Sequence, residues 1–113
     1  EFSNEEKLTS LYHCNKDGDN ALNLCNSELR RFLVTEVKRI LSAFKKIKDL
    51  KWVIPMLFDC LRAGDTDTCD WIMSLMSSDS DRRKLIFSAD SYGSTTFLSA
   101  CKGGKMASLQ WLL

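Results

Sequence analysis

The run Asp90-Ser91-Tyr92-Gly93-Ser94-Thr95-Thr96-Phe97-Leu98-Ser99-Ala100-Cys101-Lys102-Gly103-Gly104-Lys105-Met106 reads as a turn, a helix, a second turn and the start of a second helix. Gly93 follows Tyr92 where the turn calls for a positive φ. Thr95 is placed to cap a helix starting near Thr96, its hydroxyl accepting from backbone N–H groups. Ala100 and Cys101 are small, so a neighbouring helix can approach there. Gly103 and Gly104 end the helix, because consecutive glycines break helices and permit left-handed backbone. Met106, Leu109, Leu112 and Leu113 then place apolar residues on one face of a second helix. The predicted unit is a helical hairpin.

The same hairpin is legible forty positions upstream. That shift aligns Gly104 with Gly64, Leu98 with Phe58, Ala100 with Cys60, Leu109 with Cys69, Trp111 with Trp71 and Leu112 with Ile72. Pro55 to Gly64 is the expected inner helix, with proline at or near the first helical position. Asp65 to Met76 is the expected outer helix. The polar run Ser77-Ser78-Asp79-Ser80-Asp81-Arg82-Arg83-Lys84 is expected as an enlarged loop, since it is costly to bury. A weaker echo lies at Asn15 to Cys25, where Gly18 corresponds to Gly93, Asn20 to Thr95, Leu22 to Phe97 and Cys25 to Ala100. Its outer helix is expected within Thr35 to Lys48.

This order of turn, capped inner helix, glycine turn and apolar outer helix resembles the ankyrin repeat. Thr96, Phe97 and Leu98 stand where that family has Pro, Leu and His. The forty-residue spacing exceeds the family period of roughly 33. The resemblance implies an all-α solenoid in one domain, 1–113, with a divergent first repeat at about 15–50, a second at 53–84 and a third at 88–113. The last helix stops without a polar cap and Glu1-Phe2 lacks an initiating Met, so a piece of a longer array is expected.

Composition agrees with a helical globular chain: 113 residues, 44% apolar, one proline, five glycines and a net charge of +1. No alternating apolar and polar run is long enough for a convincing strand. No apolar run is long enough to span a bilayer. Cys14, Cys25, Cys60, Cys69 and Cys101 are odd in number and widely spaced. They read as small hydrophobes of a reducing compartment, cytoplasmic or nuclear.

Chemical motifs fail on inspection. Placing Gly18 at the sixth position of a calcium loop puts His13 first, Asn20 eighth and Leu24 twelfth, where Asp, an aliphatic residue and Glu are needed. His13-Cys14 has no partner ligands at zinc spacing. Gly103-Gly104-Lys105 lacks the strand and the remainder of a phosphate loop. One His and no paired acid and base leave nothing for catalysis to organise around. No catalytic residue, metal or cofactor is expected.

Glu28 to Trp52 reads as an amphipathic helix with Leu33, Val37, Ile40, Leu41, Phe44 and Ile47 on one side. Eight basic residues, among them Lys38, Arg39, Lys45 and Lys46, face three acidic ones in this window. The basic face could meet nucleic acid or anionic lipid; the plainer reading is a solvated helix face. Trp71 and Trp111 are expected to pack between outer helices. Ser78 and Ser80 precede acids, a pattern open to acid-directed kinases.

The resemblance implies that a protein partner is bound at turn tips and along the inner helices. Matching positions are Asp90, Ser91, Tyr92, Ser99, Lys102 and Arg62, with Lys16 and Asp19 as their equivalents in the first echo. The expected function is non-catalytic binding and positioning of a partner protein. The alternatives are a regulatory helical domain of a larger enzyme, channel or effector, and an anionic-surface binder through residues 30–51.

Overall fold

A computed structural model of the chain describes residues 2–13, 19–43, 52–89 and 93–113. The chain divides into two compact units, Glu1–Ile47 and Lys48–Leu113. The described residues are all-helical, with only an isolated bridge between Ala89 and Thr95. No described helix is long and apolar enough to cross a membrane.

The first unit holds α1 (Asn4–Tyr12), α2 (Ala21–Leu24) and α3 (Ser27–Ser42). A capping box starts α1: the Ser3 hydroxyl accepts from the Glu6 amide at 3.1 Å, and the Ser3 amide donates to Glu6 Oε1 at 3.1 Å. Asn26 caps α3, its side-chain oxygen accepting from the Leu29 amide at 2.9 Å. Val34, Val37, Ile40 and Leu41 recur at three, three and one along α3 and are all buried. With Leu8 and Tyr12 of α1 and Leu22 of α2 they form this unit's buried apolar set. The amphipathic pattern predicted a helix from Glu28 onward; α3 carries it to Ser42, and residues 44–51 lie outside the described set.

The second unit holds α4 (Val53–Ala63), α5 (Thr66–Ser74), α6 (Asp79–Ile86), α7 (Thr96–Gly103) and α8 (Met106–Leu112). Helices α4 and α5 form one hairpin and α7 and α8 another, with α4 packed on α7 and α5 on α8. Gly64 ends α4 at φ 78° and ψ 18°, and Gly104 ends α7 at φ 64° and ψ 28°. Both stand in the left-handed region that only glycine enters without strain, so the forty-residue register of the sequence is a register of backbone conformation. Thr95 caps α7 as expected, accepting from the Leu98 amide at 3.3 Å.

Helix α4 supplies most of the unit's core. Val53, Met56, Leu57, Cys60 and Leu61 are at most 1% exposed, and burying each large aliphatic side chain stabilises the fold by about 2 kcal/mol. Asp65 starts α5 by accepting from the Thr68 amide at 3.2 Å and the Thr68 hydroxyl at 2.6 Å. Asp65 at the N-cap and Asp67 in the first turn stand where the helix dipole favours negative charge.

The run 77–84, expected as a polar loop, is instead mostly helical. Ser78 caps α6 through the Asp81 amide at 3.2 Å, and Asp79 and Asp81 lie in its first turn. Leu85 is fully buried and anchors it. Arg82 then ties α6 to α5: its Nε donates to Met73 O at 3.2 Å and its Nη2 to Met76 O at 3.1 Å, satisfying carbonyls at the end of α5. On the other side the Thr96 hydroxyl donates to Ile86 O at 2.9 Å. A polar sequence can be helical when its charges cap the ends and one apolar residue reaches the core.

The seam between the hairpins is built from small residues. Thr96, Ser99 and Ala100 of α7 and Ser108 of α8 are buried. The Ser108 hydroxyl donates to Leu61 O across the seam. Replacing Ser108 by Ala removes that donor from a fully buried site, so a loss of about 1 to 3 kcal/mol is expected in urea denaturation. A loss below a few tenths of a kcal/mol would mean that the Gly64 amide, which also donates to Leu61 O at 3.4 Å, satisfies that carbonyl without Ser108.

Candidate interaction surface

The inner helices α4 and α7 each carry a cation in the last turn, Arg62 and Lys102. The backbones of the two helices meet next to these residues, at Gly103: a Cβ there would stand 1.8 Å from Arg62 O. Lys105, in the turn after α7, lays its stem on Gly64, with Cγ 3.0 Å from where a Cβ would be. Arg62, Lys102 and Lys105 thus gather at one end of the paired inner helices. Cations near helix C-termini complement the dipole there, and Lys102 and Lys105, both exposed, also offer charge to an acidic partner. Lys105 was not picked out from sequence; its position one residue after the helix-ending glycine was the available signal.

The structure redistributes the expected site residues. Lys102 is exposed and Arg62 half-buried. Ser99, expected on the partner-binding face, is 7% exposed and points into the packed side of α7. Cys101, expected among the small packed residues, is exposed, as are Phe97 and Leu98 at 40% and 50%. The face of α7 that meets α4 is therefore Thr96, Ser99, Ala100 and Gly103. Met106 of α8 and Leu113 at its C-cap are exposed, and Ser108 takes the buried place. Asp90, Ser91 and Tyr92 at the turn, and Lys16 in the first echo, lie outside the described residues; Asp19 is half-buried.

The outer helices join through a tryptophan. Trp111 Nε1 donates to Asp70 Oδ1 at 2.8 Å, so the indole expected to pack between outer helices also spans α5 and α8 by a hydrogen bond. Trp71 is half-buried on α5.

On α3 the described part of the basic face is partly compensated. Arg39 pairs with Glu36 at 3.0 Å and is exposed, and Lys38 is half-buried. Lys45 and Lys46 lie outside the described residues. Ser78 and Ser80 are exposed at the start of α6. Among the described residues no group of three or more His, Cys, Asp or Glu side chains could hold a metal ion.

Comparison with protein-family models, with curated proteins and with solved structures finds no match to this chain.

Proposed function

We propose that this chain is a non-catalytic protein-interaction module of the ankyrin type, which binds a partner protein through the ends and exposed sides of its inner helices. One observation carries the reading: two hairpins forty residues apart stack inner helix on inner helix and outer helix on outer helix, each turned by a left-handed glycine. Stacked hairpins of this kind make extended side-by-side surfaces suited to holding another protein. The partner surface is assigned to Arg62, Lys102 and Lys105, with Tyr92 as the aromatic candidate at the turn tip. Cys60 and Cys69 are fully buried thiols acting as small apolar groups, in keeping with a reducing cytoplasmic or nuclear setting.

Affinity capture with the wild-type chain and an Arg62→Ala, Lys102→Ala double variant tests the assignment. Both side chains reach solvent, so the variant is expected to fold, with its melting temperature within a few degrees of wild type. A partner retained by the wild type and lost by the variant, about tenfold or more in yield, is the expected result. A partner retained equally by both would remove the inner-helix ends from the binding surface.

A further inference from the structure

The first unit carries an open groove of about 760 Å³ between α1 and α3. Its apolar lining comes from Phe2 and Leu11 on one side and Leu33 and Ile40 on the other. Leu29, Leu33, Glu36 and Ile40 recur at four, three and four along α3, so they lie on one stripe of that helix. The stripe grades from Ile40, 2% exposed, to Leu29, 54% exposed. It runs for about 16 Å, the length of three helical turns. Phe2 at 75% and Phe32 at 64% leave two large aromatic surfaces in water beside it, an uncommon expense of apolar area unless something covers it.

The charge around the groove has a sign. Glu5, Glu6 and Glu36 line it, against the single ammonium of Lys7. Glu5 is exposed in the first turn of α1. The Glu6 carboxyl is held below its usual range by hydrogen bonding with the Ser3 backbone and then the Ser3 hydroxyl, so it stays ionised. Glu36 keeps a side chain 40% exposed while pairing with Arg39, and a surface pair of this sort leaves the carboxylate open to exchange partners.

We infer that the α1–α3 groove is a docking site for a cationic amphipathic helix of a partner protein, whose apolar anchors meet Phe2, Leu11 and Leu33 and whose lysines or arginines meet Glu5, Glu6 and Glu36. Charge complementarity selects this occupant: an acidic helix or an anionic membrane would meet three carboxylates around the same apolar track. The docking follows the helix-in-groove mode, in which anchors spaced three and four residues apart supply contact area and flanking charges supply selectivity. The inference is independent of the hairpin stack, which belongs to the other unit.

Fluorescence anisotropy with two synthetic probes tests it on the full chain. One is an amphipathic helix with leucines along one face and lysines on the other; its twin carries glutamates in place of the lysines. The lysine probe is expected to bind saturably, to weaken as salt rises, and to bind about tenfold more weakly to a Glu5→Lys, Glu36→Lys variant. The glutamate probe is expected not to bind. A Glu5→Gln, Glu36→Gln variant, which only removes charge, is expected to fall between the two and guards against misfolding of the reversed form. Absence of saturable binding by the lysine probe, equal binding to wild type and both variants, or equal binding of the glutamate probe would overturn the assignment. So would a concentration-dependent dimer that the charge reversal dissolves, since the groove would then belong to a second copy of the chain.

Discussion

Gly103→Ala is expected to destabilise the Lys48–Leu113 unit by roughly 3 kcal/mol, read as a lowered urea midpoint with an unchanged slope. The added Cβ would stand 1.8 Å from Arg62 O, 2.6 Å from its carbonyl carbon and 2.8 Å from its Cα. All three are backbone atoms of α4, so no side chain can turn aside to relieve the clash. The helices must part, and core packing resists such parting because interiors are dense. Helix propensity alone gives the opposite sign, since Ala in a helix is favoured over Gly by about 0.5 to 1 kcal/mol. The sign of the effect therefore decides between close approach and simple propensity. Gly104→Ala is the control: a Cβ there meets nothing within 4 Å, and only the φ of 64° opposes it, at about 1 kcal/mol. If Gly103→Ala stabilised the chain, α4 and α7 would stand further apart than described.

Leu57→Ala is expected to cost about 2 to 5 kcal/mol, whereas its counterpart forty residues on, Phe97→Ala, is expected to cost about 1 kcal/mol. The two positions correspond in the forty-residue register but not in burial: Leu57 is 0% exposed and Phe97 40%. The difference follows from what lies against each helix. Each helix has two others packed on it, α5 and α7 on α4 and α4 and α8 on α7, but Leu57 lies on a covered side of α4, whereas Phe97, Leu98 and Cys101 lie on a side of α7 that neither neighbour covers. Thermal denaturation of both variants checks the pair. Equal losses at the two positions would mean that Phe97 is covered in solution.

Much of this was legible in the residues, and the departures have physical causes. Two glycines and two tryptophans at the same separation marked the forty-residue register, because a helix-ending glycine has few substitutes and its backbone demand survives change elsewhere. The packed side of α7 was legible only in part: Ala100 is buried as expected, whereas Cys101 is exposed and Ser99, expected on the partner-binding face, is buried. Phe97, Leu98 and Cys101 carry the apolar character, yet Thr96, Ser99, Ala100 and Gly103 face inward. At a seam where backbones nearly touch, side-chain size outweighs hydrophobicity, and pattern arguments weigh mainly hydrophobicity. Helix α6 was hidden for a different reason: its stability comes from the Ser78 cap, charged ends and Arg82, with only Leu85 in the core. Helix α1 was passed over although Ser3 and Glu6 spell a capping box. The basic cluster at Arg62, Lys102 and Lys105 needed the helices to be brought together before it existed as a cluster at all.

The seam between the two hairpins also bears on how the second unit comes apart. Where two hairpins stack, stability divides into what each holds alone and what their interface adds. Three contacts of different kinds cross this one interface: a steric fit at Gly103, a hydroxyl to carbonyl bond from Ser108, and an indole to carboxylate bond from Trp111. They sit on both helix pairs, so neither pair can slip while the other stays seated. The α7–α8 hairpin on its own has few buried apolar groups to sustain it. Melting of this unit is thus expected to be all-or-none rather than stepwise, with the interface as the shared source of cooperativity and coincident transitions by different probes as the check.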